Sequence, residues 1–104
     1  MGSPQYGRLV LDGHTISGAL EIEAESLLWS ADGARLAAQE LVAWSDGPTT
    51  RVVVFDTKER TRIAASRPRR GITNPVKFER GALVYHHWNE RTGDQDMRLE
   101  LDSD

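Results

Sequence analysis

The chain has 104 residues, enough for one hydrophobic core and not for two. Its composition is 38% hydrophobic and 28% charged with no cysteine, which suits a globular domain and excludes disulfides, thiol chemistry and Cys-ligated zinc or iron–sulfur sites. The net charge of −3 hides an uneven distribution: residues 1–50 carry net −5, residues 51–80 net +6 and residues 81–104 net −4. That pattern points to distinct surface patches rather than a general nucleic-acid binder.

Apolar runs stop at four residues, at Leu41–Trp44 and Val52–Phe55, far short of the roughly 20 that a transmembrane helix needs. No basic region followed by an apolar stretch opens the chain, so no signal peptide is expected. A cysteine-free domain of this size is most at home in the cytoplasm. The expectation is one β domain over residues 1–104, with residues 1–7 as a flexible N-terminus.

In chain order, the dominant period is two. "RLVLD" (8–12) and "ALEIEAE" (19–25) alternate apolar and polar residues as half-buried strands do. "ADGARLAAQELVAW" (31–44) competes as a helix on propensity, but Asp-Gly and Ser-Asp-Gly-Pro brackets at its ends favour a long strand. "RVVVFD" (51–56) is rich in β-branched residues and reads as a central strand. "TRIAAS" (61–66), "PVKFE" (75–79), "ALVYHHW" (82–88) and "MRLELD" (97–102) complete an all-β antiparallel meander of about 7–8 strands, curled or folded into a small sandwich. Asp12-Gly13, Asp32-Gly33 and Asp46-Gly47 mark turns, since glycine accepts the positive φ such turns require. "TKER" (57–60) is a tight link. "RPRRGITNP" (67–75) and "NERTGDQD" (89–96) read as surface connections.

Few residues invite chemistry. His86 and His87 project to opposite faces of a strand, so they do not form a joint metal site; one should line the core edge and the other meet solvent. His86 shares a face with Trp88, a modest binding surface. None of the seven serines lies in a nucleophile elbow. Glu21, Glu23 and Glu25 would line one face of a strand, either as its solvent face or as an acidic strip. The arginines of "RPRRG", Arg67, Arg69 and Arg70, form a basic patch able to reach phosphate or carboxylate. They lack the interleaved aromatic residues of single-strand nucleic-acid binders. Trp44 and Trp88 end strands beside polar loops that contain Asp46 and Glu90, and exposed tryptophan is enriched at interface hot spots. The expected partner-binding set is Trp44, Asp46, Arg67, Arg69, Arg70, His86, Trp88 and Glu90, with no catalytic set, no metal site and no cofactor.

"LLWSADGARLAA" (27–38) and "PVKFERGALVYHH" (75–87) both run aromatic, short turn, glycine, apolar strand, with Gly33 and Gly81 48 residues apart. Together with "TTRVVVFDTKERTRIAAS" (49–66) they resemble the blades of TolB-type and WD-repeat-like β-propellers over about residues 26–85. Ala31 stands where such blades have proline, and the second copy has Glu79-Arg80-Gly81. The resemblance implies four-stranded antiparallel units with Trp29 in the core, about one and a half blades, and not a closed monomeric propeller.

In size, lack of a catalytic set and local charge, the chain also resembles the small immunity proteins that neutralise bacterial toxins. What this implies is a cytoplasmic, non-enzymatic module that occludes a toxin's active site, with a protein partner and no membrane. A homo-oligomer or structural sheet protein is the alternative, and a small hydrolase built on Glu21, Glu23 or His86 a third reading.

Overall fold

The computed structural model describes residues 6–11, 13–15 and 21–101. Among them the strands are β1 (Tyr6–Gly7), β2 (Val10–Leu11), β3 (His14–Thr15), β4 (Ile22–Glu23), β5 (Leu28–Trp29), β6 (Arg35–Trp44), β7 (Pro48–Asp56), β8 (Thr61–Ala65), β9 (Arg69–Arg70), β10 (Ile72–Glu79), β11 (Ala82–Asn89) and β12 (Gly93–Glu100). There is no α-helix among the described residues. The fold is all-β, and every strand pairing among the described residues is antiparallel, as the alternation implies.

A seven-stranded sheet has the order β1-β4-β6-β7-β8, with β5 also on β6 and β9 also on β7; β10-β11-β12 form a second sheet, and β2-β3 a small hairpin. The β6–β7 hairpin is the centre. Val52, Val53, Val54 and Phe55 are each fully buried because both faces of β7 are covered. One face packs Val53, Phe55 and Ala38 with Ile22 and Leu9. The other packs Ala37, Val52 and Val54 against Leu83, Tyr85, Phe78, Met97 and Leu99 of the second sheet. Each such Val or Phe contributes about 1.5–3 kcal/mol by leaving water.

The strands flanking this hairpin are both broken, and at the same level. Gln39 and Val52 are paired across it. On one side, between β4 and β5, the hydroxyl of Ser26 accepts from Gln39 N–H at 2.7 Å. On the other, between β8 and β9, the hydroxyl of Ser66 accepts from Val52 N–H at 3.0 Å. Two serines replace the ladder bonds that continuous strands would have made, so these buried amides stay satisfied.

Several expectations change. Residues 1–5 of the expected flexible terminus lie outside the described residues, but Tyr6–Gly7 pair with Ile22–Glu23. Asp12 and residues 16–20 also lie outside, so "RLVLD" and "ALEIEAE" are only partly seen. The three glutamates do not share a strand face: a 3₁₀ turn (Ala24–Ser26) follows β4, with buried Glu23 accepting from Glu25 N–H at its start. Trp29 is 47% exposed rather than core, because β5 is a two-residue edge strand. The surface connection at 67–75 instead holds β9 and the start of β10, with Arg69 and Arg70 paired to Thr50 and Thr49. Strand β12 begins at Gly93, four residues before the expected Met97. Its alternation hides in plain polar sequence, with Gln95, Met97 and Leu99 half-buried and Asp94, Asp96 and Arg98 exposed.

Candidate functional site

At one end of the sandwich three turns and corners of the chain, with Tyr6 of β1 beside them, meet around an open groove of about 970 Å³. The first is the β6–β7 turn, where Asp46 (φ 56°) and Gly47 (φ 121°) hold left-handed backbone and leave Trp44 and Pro48 facing each other. The second is β9 with the corner at Gly71. The third is the β11–β12 turn, where the Asn89 side-chain oxygen accepts from the N–H groups of Arg91 and Thr92, both at 2.9 Å, and so fixes Glu90 and Arg91. Trp44, Asp46, Arg69, Arg70, Trp88 and Glu90 all line this groove, joined by Tyr6, Ile72, Arg91 and others.

Hydrogen bonds tie the groove's floor to the core. The Thr50 hydroxyl donates to Gly71 O at 2.7 Å and accepts from the Thr73 hydroxyl at 3.1 Å. Gly71 N–H donates to Pro48 O at 2.9 Å, and the Arg70 guanidinium donates to Asp46 O. Fully buried His87 binds Arg70 O through Nε2 at 2.9 Å. A carbonyl only accepts, so Nε2 carries the proton and the ring presents a bare Nδ1, which has no protein partner. Burial holds the His87 pKa below its ordinary value, and the positive charge of Arg69 pushes the same way against the bond to Arg70 O. Both effects favour the uncharged imidazole at neutral pH.

Gly71 is required where it stands. Its φ is +117°, and a Cβ there would lie 2.1 Å from Trp88 O. Only glycine lets β9 turn into β10 while the backbone of β11 passes this close.

Above this floor the surface is mixed. Trp44 is 65% exposed and Trp88 46%; Trp88 sits beside Ile72, its register partner. Arg69 donates to Met97 Sδ at 3.8 Å, a weak acceptor. Among the described residues, Arg69, Arg70 and Arg91 have no carboxylate partner within salt-bridge distance. At the rim, burial and the charge of Glu23 raise the Tyr6 pKa above its ordinary value.

Two members of the expected binding set lie elsewhere. Arg67 is exposed but not part of the groove. His86 lies on the outer face of β11, its Nδ1 2.9 Å from Asp96 and its Nε2 3.2 Å from Asp94. Sequence reasoning missed Ile72, Tyr6 and Arg91. Arg91 follows Glu90 in the same polar turn, and that adjacency was the available signal; nothing local marks Tyr6. No group of three or more His, Asp or Glu side chains among the described residues is arranged to hold a metal ion, and no helix among them is long and apolar enough to cross a membrane. Comparison with known protein families, curated proteins and solved structures finds no match to this chain.

Proposed function

We propose that the protein is a non-enzymatic binding module whose groove docks a protein partner, and that it acts as a cytoplasmic immunity protein occluding the active site of a cognate bacterial toxin. The observation that carries this reading is the convergence of Trp44, Trp88, Arg69 and Arg70 from three chain segments on one rigid, open groove. Tryptophan and arginine are the residue types that dominate binding energy at interface centres. Here they stand on strands and on hydrogen-bonded turns, so docking requires little ordering of the binder. Local charge around the groove favours fast, oriented association.

The test is capture of partners from native-host lysate by the immobilised protein at about 0.5 M salt, where purely surface electrostatic contacts are screened. The expected result is one stoichiometric partner, an enzyme inhibited by added protein, whose capture falls at least tenfold with Trp44→Ala plus Trp88→Ala. Capture unaffected by the double variant, or recovery of the protein alone, overturns the reading.

A further inference from the structure

Two arginines of the groove stand beside exposed tryptophan without a carboxylate partner among the described residues. Elsewhere three of the described cations close on carboxylates: Arg51 on Glu40 at 2.6 Å, Lys77 on Glu79 at 3.2 Å, and Arg98 on both Glu79 and Glu100. In the groove, Arg69 and Arg70 reach only a thioether sulfur and a backbone carbonyl. Arg69 is also partly buried, which raises the cost of leaving its charge without an anion. Both line the groove, Arg69 toward Met97 and Arg70 toward the Asp46 carbonyl, so they offer two separate guanidinium positions.

We propose that this groove is the receptor for an acidic loop of the protein partner, in which exposed Asp or Glu side chains seat on Arg69 and Arg70 while an adjacent apolar side chain packs on Trp88 and Ile72. The inference rests on the protein-binding reading above and adds the chemistry of the partner. An Arg–carboxylate contact is charge-assisted and can be bidentate, which gives direction as well as affinity. A nucleic-acid backbone fits the same surface poorly. It carries one charge per nucleotide, and along this groove it would meet Asp46 and Glu90. A loop with two carboxylates carries fewer charges past these acids, and it supplies an apolar contact for exposed Trp88 and half-buried Ile72.

The experiment is selection of displayed random 12-residue peptides against the intact protein. Selected peptides are then titrated at low and high salt against the wild type, Arg69→Gln, Arg70→Gln and the Trp44→Ala/Trp88→Ala pair. The expected outcome is enrichment of Asp or Glu beside an apolar residue. Affinity should fall at least tenfold in each arginine variant, and fall again when the peptide's acids are replaced by amides. Unchanged melting curves for the variants separate lost contact from lost fold, and Arg69→Lys and Arg70→Lys should restore part of the affinity. Peptides that lose affinity only in the tryptophan pair overturn the acidic-loop inference and leave the protein-binding reading standing. No selected peptide, or none sensitive to any of these variants, overturns both. A single-stranded 12-nucleotide DNA that binds more tightly than the best peptide, and releases in the arginine variants, overturns the inference in favour of a nucleic acid.

Discussion

The outer face of the β10–β12 sheet and the groove at its end are built from the same residue types with opposite outcomes. On the outer face Lys77, Glu79, Arg98 and Glu100 form a continuous ladder, and His86 sits between Asp94 and Asp96. The arginine and lysine beside Glu79 hold its carboxyl below its ordinary pKa, and Glu100 with Glu79 raises that of Arg98. Charge there is satisfied within the sheet. In the groove, arginines and tryptophans stand together without such partners, over a floor of buried, hydrogen-bonded polar groups. Under the proposed function, it is the groove's charge, left without a carboxylate beside exposed tryptophan, that a partner would engage.

The largest effect that breaks this comparison is expected from Gly71→Ala. The strained φ and the collision with Trp88 O should cost about 3 kcal/mol or more. A thermal melt should show a fall of more than about 10 °C, with loss of partner binding. Thr50→Val comes next. It removes the hydroxyl that bonds Gly71 O and receives Thr73, and should cost about 2 kcal/mol by denaturant titration, because two buried groups lose a partner.

A smaller effect separates the regions by pH. His87 is held neutral in the folded chain, with its pKa below the ordinary 6.5. The unfolded chain therefore takes up a proton first as pH falls. The stability due to this site is fully present above about 6.5 and is lost as pH drops from there through the depressed folded value. Denaturant midpoints measured from pH 7.5 to 5 should show that loss, and His87→Gln should flatten it. The smallest effect belongs to the ladder. Arg98→Ala should barely move the melting temperature at moderate salt, since exposed ion pairs contribute little. A large drop there would end the contrast between the two faces.

The β architecture was legible where burial and pattern agree. Val52–Phe55 reads as a central strand because β-branched residues filled it without a polar break, and Asp-Gly pairs announced the turns at Gly33 and Gly47. Misreadings fell where a short element depends on a distant partner. The 3₁₀ turn at Ala24–Ser26 cuts "ALEIEAE" short, and the Ser26 hydroxyl at its end serves Gln39, thirteen residues on. "RPRRG" contains a strand because two residues suffice to pair with Thr49 and Thr50. Trp29 has an aromatic's burial potential but lies on an edge. Six residues of the groove were named from exposure at strand ends and from local charge. Arg67 was not separable from Arg69 and Arg70, because only the corner at Gly71 decides which arginines face inward. His86 was grouped with Trp88 by strand alternation, before the acids opposite it on β12 were known.

The paired serines Ser26 and Ser66 have a mechanical consequence. Because both flanking strands are interrupted at the level of Gln39 and Val52, only β6 and β7 pass that level of the sheet as regular strand, with the Ser26 and Ser66 segments bonded to their edges. Between the groove end and the rest of that sheet, regular ladder continuity is therefore carried by the β6–β7 pair, and a pull on the Trp44–Pro48 turn would be felt first along those two strands.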